Sequence, residues 1–171
     1  SSCTRPVGFV MGALATPAPT LSLAAGVNAD QVTIDREHRR ATVNAMSLPD
    51  ATLDTYRALE HRVAAENAGW DIRLVPPPGP LPLIAFEGDA DTPSDAARTA
   101  VLTSVWAAQR WNVRQLMVPG LTDPPAETPN LAQRRAAAIA ALLRQQGVEP
   151  LAASPQGSSF RLGRADEGTM R

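Results

Sequence analysis

An α/β (α+β) fold of two consecutive subdomains, ββαβ and then βαβαβ, is predicted by three observations on this chain. Apolar and polar residues alternate over 31–35 and 40–45, apolar residues recur at helical spacing over 53–63, and a proline-rich run over 76–82 separates this unit from a second alternation of strands and helices. The expected organisation is a tether or extended segment over 1–28, an α/β subdomain over 29–76, a linker over 77–82 and a second domain over 83–171.

Leu21 to Leu23 reads as a short strand before a Gly26-Val27-Asn28 turn. In Gln31 to Asp35, Val32 and Ile34 share one face; in Arg40 to Ala45, Ala41, Val43 and Ala45 do. Arg36-Glu37-His38-Arg39 between them makes a hairpin. After Pro49, with Asp50 as the expected N-cap, Leu53, Tyr56, Leu59 and Val63 define an amphipathic helix that Gly69 should end. Trp70, Ile72 and Leu74 alternate with Asp71 and Arg73 as in a half-buried strand. Prolines 76, 77, 78, 80 and 82 cannot donate to a ladder and favour extended geometry, so they mark a semi-rigid boundary.

Beyond it, Leu83-Ile84-Ala85-Phe86 reads as an apolar strand. Thr92-Pro93 predicts a helix start, with Thr92 as N-cap, Pro93 at the first helical position and Asp95 near the positive end of the dipole. Val101, Val105 and Ala108 form its buried stripe. Val113 to Val118 predicts a strand ending at Pro119-Gly120. Thr128-Pro129 repeats the cap-and-proline arrangement before a helix to Gln146, stopped by Gly147, and a last strand includes Phe160 and Leu162. The sheet is expected to be mixed, with helices on one face.

Composition narrows the function classes. Hydrophobic residues at 44% and charged residues at 19% supply a core and argue against disorder. A net charge of -1 gives no basic field for phosphates, which excludes nucleic acid as the expected partner. The single cysteine, Cys3, rules out an intramolecular disulfide and a Cys-x-x-Cys metal site, and His38 and His61 are too few for a His-rich metal constellation. Ser1-Ser2-Cys3 matches the tail of a lipobox, in which Cys3 is the lipidation position, although so short a match arises easily by chance. Residues 6–29 carry no charge, but Pro17 and Pro19 interrupt them and the unbroken apolar run from Val7 to Ala15 is short of the ~20 residues a span needs.

Gly120-Leu121-Thr122-Asp123 followed by Leu131-Ala132-Gln133-Arg134-Arg135-Ala136 resembles the OmpA-like family, whose signature is a strand ending Gly-x-Thr-Asp, a loop, and a helix beginning Leu-Ser-x-x-Arg-Ala. Ile84-Ala85-Phe86 is similar to the family's opening strand, the Ala-rich helix after Pro93 to its first helix, and Gly147-Val148 to its helix exit. The resemblance covers about half the chain. It implies non-covalent binding of the diaminopimelate residue of the peptidoglycan stem peptide, with no cofactor, in the periplasm of a Gram-negative cell. The implied roles fall on Asp123, accepting from the ligand's ammonium, and Arg135, forking onto its carboxylate, with Thr122, Thr128 and Asn130 as polar neighbours. Anchoring would come from an upstream membrane segment or from acylated Cys3.

Several positions depart from the family. Asp123 and Arg135 are twelve residues apart, closer than usual, and Pro124, Pro125 and Pro129 stiffen the loop. Thr128 stands where the family has Asn, and Ala132 replaces Ser. Asp123 capping its own loop and Arg135 bracing the helix would explain the same residues without a ligand. The competing function is therefore a structural or interaction module, the extramembrane part of a larger membrane protein that no longer binds peptidoglycan. The first subdomain resembles a BON-type unit by its pattern and its Trp70 strand; a generic α/β unit explains it equally.

No arrangement asks for catalysis: there is no Gly-x-Ser-x-Gly elbow, no phosphate loop with Lys and no His-Glu-x-x-His helix. His61 reads as solvated and His38 as a turn residue. Glu87, Asp89 and Asp91 form an acidic loop before a helix N-terminus, which is favourable without a metal. Trp106 and Trp111 read as packing residues.

Overall fold

The computed structural model describes residues 29–157 and 160–164. The expected tether over 1–28, the Leu21–Leu23 strand with its turn, and lipidation at Cys3 lie outside the described residues. The chain is mixed α/β, and its described residues divide into two compact units, 29–51 with 55–77, and 52–54 with 78–157 and 160–164. Among the described residues no helix is long and apolar enough to cross a membrane.

The first unit contains β1 (Ala29–Asp35), β2 (Arg40–Ala45), α1 (Leu53–Glu66) and β3 (Asp71–Val75), in the sheet order β1-β2-β3. β1 and β2 are antiparallel, whereas β3 joins β2 in parallel with Val43 opposite Leu74. A parallel return needs a crossover, and α1 supplies it. Alternation places Ala41, Val43, Ile72 and Leu74 in the core with Tyr56, Leu59 and Val63 of the helix. The Asp35 carboxylate closes the hairpin by accepting the His38 N–H at 3.2 Å and meeting His38 Nδ1 at 2.8 Å. These His38 contacts hold the Asp35 pKa below its ordinary value.

One expectation for this unit fails. Asp50 is not the N-cap of α1, which begins at Leu53; Asp50 instead adopts a left-handed turn conformation with φ 58°. The β2–α1 connection is tied by Tyr56, whose hydroxyl donates to the Met46 carbonyl and accepts from the Leu48 N–H. Buried Glu60 takes a role the sequence pattern did not suggest. It accepts the Leu74 N–H at 2.9 Å, partnering a strand amide that would otherwise be left without an acceptor at the edge of the sheet.

The second unit contains α2 (Asp95–Arg110), β4 (Gln115–Pro119), α3 (Leu131–Gln145), β5 (Glu149–Ala153) and β6 (Gly163–Arg164). The sheet order is β5-β4-β6, with β5 parallel and β6 antiparallel to β4, a mixed sheet. The expected Leu83–Phe86 strand is reduced to a single bridge from Leu83 to Arg161, supported by the Ile84 N–H donating to the Phe160 carbonyl at 2.7 Å. The last strand lies at Gly163–Arg164 rather than over Phe160 and Leu162, both of which are buried.

Both helix caps in this unit differ from expectation. α2 starts at Asp95 under Ser94, whose side chain accepts the Ala97 N–H, two residues after Thr92. α3 is capped by Asn130 in a capping box with Gln133, two residues after Thr128. The reason is common to both. A residue before proline is pushed toward extended backbone, so Thr-Pro is a good approach to a helix, while the first short polar residue after it sits where a side chain reaches the N3 amide.

β5 was not anticipated, because Pro150 argues against a strand. Glu149 N–H donates to the Arg114 carbonyl and the Ala153 carbonyl accepts from Gly120 N–H, so residues 149, 151 and 153 face β4. Pro150 and Ala152 therefore point their backbone polar groups away from the sheet. The missing proline N–H falls on the open edge, where it costs no ladder bond.

Candidate functional site

β4 ends at Pro119, and the chain then crosses the first turn of α3. At Gly120 φ is +87°, and a Cβ there would stand 3.1 Å from the Ala132 carbonyl oxygen. Only glycine combines this backbone conformation with so close an approach. The turn releases Leu121, Thr122 and Asp123 along one side of α3 and the edge of β5. Together they line a groove of about 580 Å³ with Pro125, Ala126, Pro129, Gln133, Arg134, Ala137, Arg144 and residues 149–152.

The charges on this groove are unevenly paired. Arg134 is held in place by Asp91 at 3.0 Å and by donating to the Pro129 carbonyl at 2.9 Å. Glu149 accepts from the Gln115 side-chain amide at 2.7 Å. Asp123 and Arg144 are exposed and, among the described residues, neither side chain has an ion pair or hydrogen bond. The site thus offers one uncommitted carboxylate and one uncommitted guanidinium in a trough of mixed polar and apolar lining. This suits a ligand with separated opposite charges. Among the described residues no group of three His, Cys, Asp or Glu is placed to hold a metal ion.

Of the residues expected at the site, the groove brings together Thr122 and Asp123. Thr128 and Asn130 are exposed and do not line it; Asn130 is spent on the α3 cap. Arg135 lies elsewhere. Its Nε and Nη2 donate to the carbonyls of Ala90 and Gly88 at 2.7 and 2.6 Å, and its guanidinium lies 4.9 Å from the centre of the Phe86 ring. The expected bracing role for Arg135 is thus directed at the 88–90 loop, not at Asp123.

Helical phase explains this division. At about 100° per residue, Gln133, Ala137 and Arg144 fall within roughly 40° of one another on α3, and Arg135 points about 180° away. The buried stripe of Ala136, Ile139, Ala140 and Leu143 runs between the two faces. Two adjacent arginines cannot both face the groove, and Arg134 is the one that does. The signal was available in sequence, since Ile139 and Leu143 fix the buried phase. Residues 149–152 were missed because they come to the groove through a strand that was not anticipated, and Arg144 because the groove it faces on α3 is closed by that same strand.

Arg135→Ala should lower the stability of this unit by about 1–2 kcal/mol, through loss of two charged donors and the ring contact. Chemical denaturation would check the loss, and faster amide exchange over 86–91 would locate it. Unchanged exchange there would show that Arg135 does not hold the loop.

No protein-family model, curated protein or solved structure matches the chain, so the resemblance to the OmpA-like family rests on its residues and their order.

Proposed function

We propose that this is a non-enzymatic cell-envelope protein whose OmpA-like second unit binds the peptidoglycan stem peptide non-covalently in the periplasm. The observation that carries the reading is the uncommitted Asp123 carboxylate in a groove that also presents the anchored Arg134 guanidinium. Diaminopimelate ends in an ammonium and a carboxylate on one carbon. Asp123 takes the ammonium and Arg134 the carboxylate, with Thr122 as a neighbouring hydroxyl. Arg134 replaces Arg135 in this role, because helical phase turns Arg135 to the 88–90 loop. No cofactor enters. The exposed site gives modest affinity for each contact, which suits reversible attachment to a polymer that repeats the ligand many times.

A second reading, a structural module without a ligand, is favoured by the fixed employment of Arg135 and Asn130 in bracing and capping. Sedimentation with insoluble diaminopimelate-type peptidoglycan separates the two. Wild type should pellet with the wall and Asp123→Ala should stay in solution, with stability changed by no more than about 0.5 kcal/mol because the replaced carboxylate is exposed and unpaired. If neither pellets, wall binding is wrong and the structural module stands.

A further inference from the structure

Resting on the stem-peptide reading, we infer that the groove reads the stem along its length and selects stems that end in a free carboxylate, which Arg144 receives. Three features carry this. Arg144 lines the same groove as Asp123, yet it is too far along α3 to share the diaminopimelate head with Arg134. Ten residues of helix at about 1.5 Å each separate the two arginines by about 15 Å. A single amino-acid head cannot engage both. Diaminopimelate followed by one or two residues spans about 7–11 Å at about 3.5 Å per residue, and the long, unpaired Arg144 side chain can lean along the groove to cover the remainder.

The second feature is the wall of the groove between these ends. Pro150 and Ala152 line it and turn their backbone groups away from β4, so the edge presents the Pro150 carbonyl and both the N–H and carbonyl of Ala152. Peptide groups of the stem can pair with these, whereas a free amino acid lacks the peptide groups to do so. The third is charge. Arg144 is unpaired among the described residues, and Glu149 of the same groove keeps its negative charge but turns an oxygen to the Gln115 amide and not to Arg144, so the far end of the groove holds an available cation. A stem whose terminal residue keeps its carboxylate supplies the complement. A stem whose terminal carboxyl has been consumed in a cross-link does not.

Calorimetric titration of the full chain with a soluble stem tetrapeptide tests this, using Ala, γ-linked Glu, meso-diaminopimelate and a C-terminal D-Ala as free acid or as carboxamide. Wild type should bind the acid about fivefold more tightly than the amide, a ratio suited to one solvent-accessible charged contact. Arg144→Gln should lose that factor for the acid and leave the amide unchanged, and Asp123→Asn should weaken both peptides alike. Equal wild-type affinity for the two peptides, with Asp123→Asn still weakening both, would overturn the terminal-carboxylate inference and leave the stem-peptide reading standing. Equal losses for both peptides in Arg144→Gln would also overturn it. No wild-type binding to either peptide would overturn both.

Discussion

Ile139→Ala is expected to destabilise the second unit by about 2–5 kcal/mol, the largest single effect anticipated for this chain. The stripe that α3 buries consists of Ala136, Ile139, Ala140 and Leu143, each with no exposed surface. Two of the four are alanines, so Ile139 and Leu143 provide nearly all the apolar volume that fixes the helix over β4 and β5. Leu116 and Val118 of β4 are equally buried, which leaves the cavity from a truncated Ile139 little freedom to collapse. Against a total stability of about 5–15 kcal/mol for an ordinary domain, this is a substantial part. Hydrogen exchange at the β4 amides in increasing urea would measure it for this unit alone. Ile139→Val should fall near 1 kcal/mol on the same scale. A loss below about 1 kcal/mol for the alanine variant would mean that α3 does not pack here.

Gly120→Ala should cost about 2–3 kcal/mol, from a left-handed conformation that disfavours any Cβ and from a contact with a backbone carbonyl that cannot rotate away. Gly147→Ala separates the two causes. Gly147 also has a left-handed φ, +80°, but a Cβ there would meet nothing within 4 Å, so only the conformational cost of about 1 kcal/mol applies. The difference between the two variants measures how tightly the β4 exit is pressed against the first turn of α3. Equal losses would show that this approach is looser than the 3.1 Å separation implies. The contact matters for the site because the same turn sets where Thr122 and Asp123 emerge beside the helix.

Much of the architecture is legible in local pattern. The β2 strand, α1 and β3 follow from residues whose periodicity agrees with their burial, such as Ala41, Val43, Ile72 and Leu74, whereas Val32 on the alternating face of β1 is exposed. The two helices of the second unit are equally legible, and Gly147 stops the second where a left-handed residue is required. Legibility weakens where a residue carries two signals. Thr128 and Asn130 are both good caps around a proline, and their ranking depends on which one reaches Gln133. Pro150 argues against a strand until the strand is known to be an edge.

By itself the sequence determined the α/β class, the sites of chain reversal and the presence of an acidic residue and a pair of arginines around one loop and helix. These are properties of neighbours along the chain, fixed by side-chain period, backbone restriction and capping chemistry. Tertiary structure alone decided on which side of α3 the groove opens, that β5 forms its far wall, and that Asp123 and Arg144 remain without partners among the described residues. The physical reason is that pairing depends on helical phase relative to a buried stripe and on contacts between residues far apart in sequence. Arg135 and the carbonyls of Gly88 and Ala90 are joined across more than forty residues, and only packing brings them within hydrogen-bond reach.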